Sequence, residues 1–217
     1  MKYVQFSEIG KRSNNEDCCS VVDIPGKRTL FVVCDGMGGH FGGEIASRTV
    51  CDVFSAYWQK HVEVDDSPEK IEGATAAASE AIDRESGRNQ MGTTLVMASV
   101  EGRKAHIAHA GDSRCYIIDI KGYVKYRTID HEDRGYITNS FFTGMSQDTH
   151  PEVKVVELEP LDRILLCSDG LYKAIDDETL LHTLHCARDV QQVMEKYIAI
   201  CRQTASDNYS AIIIEME

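Results

Sequence analysis

Short apolar runs separated by polar turns open the chain and predict β-strands. Residues 3–6, 19–24 and 30–34 form three such runs, and the sequence Pro25-Gly26-Lys27 predicts a hairpin turn between the second and the third. The intervening stretch at residues 10–17 is polar. The first part of the chain is therefore predicted to be rich in β-structure.

The apolar spacing then changes to three or four residues, which is typical of amphipathic helices. One predicted helix begins near Ile45 and runs past Tyr57, and a second follows Pro68. Further strands are predicted at residues 94–100, 105–110, 115–120, 153–158, 164–167 and 211–214. Two more helices, around Leu184 and Ile198, are predicted between the last two of these strands.

This order of elements predicts an α+β fold: a four-layer α-β-β-α sandwich in which two antiparallel sheets stack between helix pairs. A parallel α/β sheet would require stricter alternation of strands and helices. At 217 residues the chain is expected to form one domain over residues 1–217. Residues 130–151 are the least regular stretch and are predicted to form a mobile loop.

Composition narrows the range of partners. The chain has 35 acidic and 23 basic residues and a formal net charge of −12, which disfavours nucleic acid and anionic membrane surfaces as partners. No apolar stretch approaches the roughly 20 residues that span a bilayer, and residues 1–5 lack a signal-peptide pattern. We therefore expect a soluble, cytoplasmic protein without a membrane partner.

Cysteine and histidine spacing gives little support for disulfides or for a histidine-based metal site. The eight cysteines lie within predicted strands or helices or side by side and include no C-x-x-C pair, so free thiols are expected. His106 and His109 should point to opposite faces of a strand. His182 and His185 lack an evident third ligand nearby, so metal binding by either pair is disfavoured.

Four aspartates lie where an apolar run begins or ends: Asp35, Asp112, Asp169 and Asp207. Side chains at strand ends can converge although they are distant in sequence, so we expect these four at one edge of a sheet. Converging carboxylates repel one another unless cations neutralise them, and oxygen ligands favour Mg²⁺ or Mn²⁺ over Zn²⁺. A hydrolytic centre with several metal ions is the leading interpretation.

Five sequence blocks occur in an order that resembles the metal-dependent protein phosphatases, the PPM or type-2C serine/threonine phosphatase family. They cover residues 10–17 (GKRSNNED), 33–40 (VCDGMGGH), 92–94 (GTT), 110–114 (AGDSR), and 168–172 (SDGLY) with the closing 206–208 (SDN). One Asp-Gly pair alone would be weak evidence. Five blocks in order over nearly the full length are hard to reach by chance.

The resemblance implies a centre for two core ions of Mn²⁺ or Mg²⁺, with a weaker third. Asp35 would bridge the two core ions, while Asp169 and Asp207 would complete one of them. Glu16 and the carbonyl of Gly36 would help to hold the other. A water shared by two such ions has a lowered pKa and can attack phosphorus directly, so no protein nucleophile is needed.

Three more residues receive roles in the same way. Asp17 would hydrogen-bond and orient metal-bound water, and it counts among the acidic residues of the metal centre. Arg12 would clamp the phosphate, because a guanidinium matches two phosphoryl oxygens. Arg12, Asp17 and Asp35 are thus the expected catalytic residues. Asp112 would share the third ion with Asp169, although a turn-forming role remains open for it.

The chain departs from the family pattern at two places. Animal members carry a histidine directly after Asp-Gly, whereas this chain has Met37, as bacterial-type members do, and a thioether cannot donate a proton. We expect His40 to be structural and a metal-bound water to protonate the leaving group. The segment at 130–151 resembles the family's flap in shortened form, which leaves substrate selection open.

The resulting interpretation is a protein phosphatase that hydrolyses phosphoserine or phosphothreonine and opposes a serine/threonine kinase. Two alternatives stay open. The first is a catalytically silent module with the same fold that binds or regulates a partner, although it would be free to lose the acidic residues present here. The second is a phosphatase of small phosphate esters.

Overall fold

A computed structural model describes residues 1–37, 42–87, 89–145 and 148–217. Most of its strands form two five-stranded antiparallel sheets. The first sheet contains, in spatial order, β12 (Glu152–Glu157), β6 (Lys104–Ala110), β5 (Leu95–Glu101), β3 (Arg28–Asp35) and β2 (Asp17–Ile24). The second contains β1 (Lys2–Glu8), β14 (Tyr209–Glu215), β13 (Arg163–Cys167), β7 (Arg114–Ile118) and β8 (Val124–Arg127).

Helices cover the outer face of each sheet. The helices α1 (Gly43–Lys60) and α2 (Pro68–Ser86) bury residues such as Phe54, Trp58 and Ile71 in a core shared with the first sheet. The helices α3 (Asp169–Ala174), α4 (Asp177–Cys186) and α5 (Val190–Thr204) pack on the second sheet, where Leu184 and Tyr197 are buried. A third core lies between the sheets. The predicted four-layer α-β-β-α sandwich is confirmed.

Alternation along β3 explains why two cores meet at this strand. Leu30 and Val32 face the helix-side core, whereas Phe31 and Val33 face the core between the sheets. All four are fully buried, because successive side chains of a strand point to opposite faces and both faces are covered. The strand therefore reads as a continuous apolar run that ends at Asp35.

The short helix α3 was not predicted from the sequence. It has six residues, too few for an apolar repeat to be recognised, and follows directly after strand β13. The helix begins at Asp169, which is one of the predicted site residues.

Residues 130–151 contain more regular structure than predicted. The two-residue strands β9 (Glu132–Asp133) and β10 (Tyr136–Ile137) pair with each other, and β11 (Phe141–Phe142) pairs with β4 (Gly92–Thr93). Phe141 is fully buried and belongs to the helix-side core of the first sheet. This segment is therefore tied to the sandwich at its middle, although its interrupting glycines and proline suggested an irregular loop.

All eight cysteines are free, as predicted, and most of them are buried. In the described part of the chain, no helix combines the length and the apolar character that crossing a membrane would require.

Candidate active site

The predicted acidic residues gather at one end of the sandwich, but they come from both sheets. Asp35 is the last residue of β3 and Asp112 follows β6, both in the first sheet, whereas Asp169 follows β13 and Asp207 precedes β14 in the second. The expectation of a single sheet edge was therefore wrong. Two stacked sheets bring their strand ends together at the same end of the molecule, which sequence position alone does not reveal.

Strands β2 and β3 place Asp17 directly opposite Asp35. The Ser168 hydroxyl donates to Asp17 Oδ2 at 2.7 Å, and the Asp169 backbone N–H points to Asp35 Oδ2 at 3.4 Å. Thr94 Oγ1 accepts from the Asp35 backbone N–H at 3.0 Å. The first sheet and the beginning of α3 thus fix Asp35 from two sides.

Gly36 permits a close approach of three backbone segments. Its N–H donates to the Glu16 carbonyl at 3.0 Å, and a Cβ at this position would lie 2.3 Å from the carbonyl oxygen of Gly43 and 2.6 Å from that of Glu16. No side chain larger than hydrogen fits there. This packing holds Glu16 beside the end of β3.

Asn208 connects Asp207 to the loop that carries Arg12 and Glu16. Its side-chain amide donates to the carbonyls of Ile9 and Asn14, both at 2.8 Å, while its Oδ1 accepts from the Glu16 backbone N–H at 2.9 Å. These three bonds hold the residue 9–16 loop against the start of β14.

Asp112 lies in a tight turn after β6. Gly111 has a φ of 111°, and a Cβ there would lie 2.6 Å from Thr94 Cγ2, so glycine is required both by conformation and by space. The Tyr172 hydroxyl donates to Asp112 Oδ2 at 3.4 Å. The turn directs a buried carboxylate toward the cleft.

These residues surround a cleft of about 460 Å³. The lining is polar and includes six acidic residues, and part of it comes from the segment at 130–151. The lining residues are Arg12, Glu16, Asp35, Gly36, Met37, Thr94, Asp112, Glu132, Gly135, Ile137, Asp169, Lys173 and Asp207. Asp17 is not among them; it pairs with Asp35 across the strands and accepts a hydrogen bond from Ser168.

Two cationic side chains reach the acidic cleft. Arg12 Nη2 lies 2.6 Å from Asp207 Oδ2, and Lys173 Nζ lies 2.5 Å from Asp169 Oδ2. Lys173 also approaches Asp112 Oδ2, at 3.9 Å. Arg12 was predicted at the site, whereas Lys173 was missed because its helix was not recognised.

The carboxylates raise one another's pKa values. Burial, followed by the charges of Asp17 and Asp169, raises the pKa of Asp35 well above its usual range. Burial is also the main cause that raises the pKa of Asp17 to about 7 and that of Asp112 to about 6. Carboxylates with raised pKa values resist ionisation unless positive charge is added. Bound divalent cations supply that charge and favour the ionised form, so this site is suited to them. The donor set consists of oxygens, as Mg²⁺ and Mn²⁺ prefer.

A separate group of possible metal ligands lies at the base of the 130–151 segment and contains His109, His131 and Glu152. The two imidazoles stack in nearly parallel planes, 7° apart, with centroids at 4.5 Å. The Gly111 N–H donates to His131 Nδ1 at 3.3 Å, which leaves the proton of a neutral ring on Nε2, facing Glu152. Parallel rings do not direct their lone pairs to one ion, so we interpret this group as packing and hydrogen bonding.

The structure thus brings together the acidic residues, Gly36 and Arg12 that the sequence singled out. Ser168 and Asn208 lie in recognised motifs, but their supporting hydrogen bonds became evident only from the geometry. His40, which we expected to be structural, lies outside the described residues.

Comparison with known proteins supports this interpretation. Residues 4–209 match the family model described as Protein phosphatase 2C. The chain is 27% identical over 242 residues to the serine/threonine protein phosphatase PstP of Mycobacterium tuberculosis, covering all of this chain but 45% of the relative. It is 26% identical over 231 residues to the serine/threonine phosphatase stp of Listeria innocua, covering 94% of this chain and 91% of the relative.

Solved structures agree with these relatives. The crystal structure of the M. tuberculosis serine/threonine phosphatase PstP/Ppp superposes with a TM-score of 0.82 at 28% identity, covering 100% of this chain and 98% of that one. Stp1 of Staphylococcus aureus shares the fold with a TM-score of 0.89 at 24% identity, covering 100% and 95% of the two chains. With nearly its whole length matched, the chain belongs to the protein phosphatase 2C family.

Proposed function

We propose that the protein is a metal-dependent phosphatase that hydrolyses phosphoserine and phosphothreonine in proteins by direct attack of water. The observation that carries this proposal is the convergence of Asp35, Asp169 and Asp207, from three strand ends, on one cleft that also contains Arg12. The names of the similar proteins, which are serine/threonine phosphatases, support a protein substrate.

Glu16, Asp35, the carbonyl of Gly36, Asp169 and Asp207 would hold two core ions, Mn²⁺ or Mg²⁺. When bound, such a pair supplies a water of lowered pKa and offsets negative charge on the phosphoryl oxygens. Asp112 and Asp169 would hold a weaker third ion. These assignments rest on the donor atoms that line the cleft.

The chain's own residues position the reacting groups. Asp17 lies opposite Asp35 across strands β2 and β3 and accepts a hydrogen bond from Ser168, and it would orient metal-bound water. When substrate enters, the Arg12 guanidinium would leave Asp207 and bind the phosphate. The Arg12 side chain is half-exposed and therefore free to make this movement. A guanidinium can donate to two phosphoryl oxygens at once.

Residues 132–137 form part of the wall of the cleft, to which Gly135 and Ile137 contribute. A neighbouring cavity of about 540 Å³ shares Met37, Gly135 and Ile137 with it. This extension leaves room for the residues that flank a phosphorylated side chain. We infer a phosphoprotein substrate whose phosphate is added by a serine/threonine kinase, and a cytoplasmic location, since eight free cysteines suit a reducing compartment.

Phosphate release from peptides tests the proposal. Phosphoserine and phosphothreonine peptides should be hydrolysed in the presence of Mn²⁺, and faster per enzyme than sugar phosphates. Faster turnover of the sugar phosphates would favour the small-ester alternative. Failure to release phosphate from any substrate, with Mn²⁺ bound and the fold intact, would favour a silent binding module.

A further inference from the structure

Helix α3 places a lysine beside the two carboxylates that would hold the weaker third ion. Asp169 is its first residue and Lys173 lies four positions later, so both side chains share one face of the helix. Lys173 Nζ is 2.5 Å from Asp169 Oδ2 and 3.9 Å from Asp112 Oδ2. The four-residue spacing on the helix is therefore sufficient to place the Lys173 ammonium beside Asp169.

Among the described residues, Lys173 is the cation paired with Asp112. Its carboxylate is buried, and the Tyr172 hydroxyl donates to it from 3.4 Å. Tyr172 is in turn held by the guanidinium of Arg114, which stacks over its ring at 3.5 Å. Lys173 is the lysine that lines the same cleft within the described residues.

We propose that the Lys173 ammonium substitutes for the third divalent ion between Asp112 and Asp169. The ammonium is tethered to the helix and therefore present at a high local concentration, so a third cation has to displace it or suffer repulsion from it. The protein then holds two ions at metal concentrations at which a chain without this lysine would hold three. The inference rests on the proposed function, because it concerns the same metal centre.

Counting bound Mn²⁺ tests this role without relying on turnover. Wild type, Lys173→Gln and Lys173→Arg are titrated with Mn²⁺ by calorimetry, and free Mn²⁺ is followed by electron paramagnetic resonance. Lys196→Gln is the matched control, because it removes the same charge from an exposed position on α5. Lys173 is itself mostly exposed, so these variants should fold.

Wild type should bind two ions tightly, and Lys173→Gln should bind a third at least tenfold more tightly than wild type does. Lys173→Arg and Lys196→Gln should behave as wild type. If wild type and Lys173→Gln each bind two ions tightly and a third with equal affinity, Lys173 does not substitute for the third ion. That result would leave the proposed function standing. Absence of tight Mn²⁺ binding by wild type would instead contradict the proposed function.

A cysteine lies beside two histidines at the end of α4 and supports a second, independent inference. Cys186 is the last residue of this helix, and its Sγ lies 3.6 Å from His182 Nδ1 and 3.5 Å from His185 Nδ1. The expectation that the histidine pair lacks a third ligand overlooked this cysteine. Because a thiol has one hydrogen, it cannot donate to both nitrogens.

His185 is oriented as metal-binding histidines usually are. Its Nε2 lies 3.1 Å from the Ile120 carbonyl oxygen and donates to it, which leaves the lone pair on Nδ1, facing the sulfur. The ring packs against the turn at Gly122, where a Cβ would lie 2.9 Å from it. The backbone therefore fixes both the tautomer and the direction of this imidazole.

We infer that His182, His185 and Cys186 bind Zn²⁺, with water in the remaining position. Zn–S and Zn–N bonds of about 2.3 and 2.0–2.1 Å in a tetrahedron separate sulfur from nitrogen by about 3.5 Å, which is close to the two distances from Cys186 Sγ to the histidine nitrogens. The exposed His182 ring turns to complete the site, and the thiol releases its proton on binding. The C-terminal end of a helix also favours a cation.

Cobalt absorption distinguishes this site from the carboxylate centre. With excess Mg²⁺ present, Co²⁺ should produce a thiolate charge-transfer band in wild type, and Zn²⁺ should abolish the band by displacement. Cys186→Ser should lose the band, and His185→Gln should bind Co²⁺ at least tenfold more weakly. His106→Gln, which changes a histidine on β6, is the control and should match wild type. No band in wild type, or the same band in Cys186→Ser, would overturn the site.

Discussion

Arg12 and Asp207 are separated by 195 residues, yet Arg12 Nη2 lies 2.6 Å from Asp207 Oδ2. The proposed phosphate clamp is therefore paired with a proposed metal ligand. Asn208, next to Asp207, fixes the same arginine-bearing loop through two carbonyls. The Arg12 guanidinium would bind Asp207 before substrate enters and the phosphate afterwards. Bound cations would then neutralise the Asp207 carboxylate.

Arg12→Ala should raise KM and lower kcat for a phosphopeptide, because phosphoryl charge is present in both the ground and the transition state. The combined loss in kcat/KM should correspond to about 2–4 kcal/mol. Arg12→Lys should recover only part of it, since an ammonium cannot present two parallel donors. Steady-state kinetics at saturating Mn²⁺ measure this. Unchanged constants in the alanine variant would show that Arg12 is only a surface residue.

Chelation should stop hydrolysis reversibly. EDTA should abolish phosphate release, and added Mn²⁺ or Mg²⁺ should restore it, because the proposed metal ligands in the cleft are carboxylate and carbonyl oxygens. Initial rates before and after readdition of each ion are the measurement. Restoration by Zn²⁺ alone would argue against the oxygen-ligand centre.

The metal-free protein should lose stability as the pH rises. Asp17, with a pKa raised to about 7, and Asp112, with a pKa raised to about 6, hold protons that the unfolded chain releases near pH 4. Between these values the folded state binds more protons, so the free energy of unfolding falls with increasing pH. Melting temperatures in EDTA should fall from about pH 5 to about pH 8.

Asp17→Asn should flatten this dependence and melt above wild type at the upper end of the range. Saturating Mn²⁺ should reduce the dependence in wild type, because bound cations favour the ionised carboxylates. A melting temperature that rises with pH in EDTA would contradict the electrostatic description of the site.

A buried ion cluster at the N-terminal end of α2 should contribute to stability independently of the cleft. Asp66 accepts from Arg28 and, at 3.0 Å, from Lys70, and all three side chains are buried. Asp66→Ala would leave the buried Lys70 without its carboxylate and would leave Arg28 with only the more distant Glu101, at 3.9 Å, so it should cost about 3–5 kcal/mol. Urea unfolding measures the loss.

The control is Glu63→Ala, which removes the exposed partner of Lys27 and should leave the urea midpoint nearly unchanged. Equal midpoints for wild type and Asp66→Ala would show that the cluster adds nothing to the folded state.

Burial explains which parts of the fold could be predicted from sequence. Runs such as residues 30–34 are apolar because both faces of β3 are covered, and the three-to-four spacing in α1 follows from one covered face. The six-residue α3 is too short to show any such repeat. Its omission concealed the position of Lys173.

Asp35, Asp112, Asp169 and Asp207 were identified because each adjoins a recognisable strand end, and Glu16 and Asp17 were identified from the family resemblance. Their arrangement depends on contacts between distant parts of the chain. Nothing local to Asp169 indicates that its backbone N–H faces Asp35, 134 residues away. The same holds for the pairing of Arg12 with Asp207. Sequence therefore predicted the members of the site, whereas the stacking of two sheets determined their geometry.

Parallel measurements on Asp169→Asn test the central claim most directly. Wild type and the variant are compared for circular dichroism, Mn²⁺ binding and phosphate release from a phosphothreonine peptide. We predict an unchanged fold, weakened Mn²⁺ binding and loss of turnover, because the variant removes a charged oxygen ligand. Turnover near wild type at saturating Mn²⁺ would contradict the assignment of this cleft as a metal-dependent phosphatase centre.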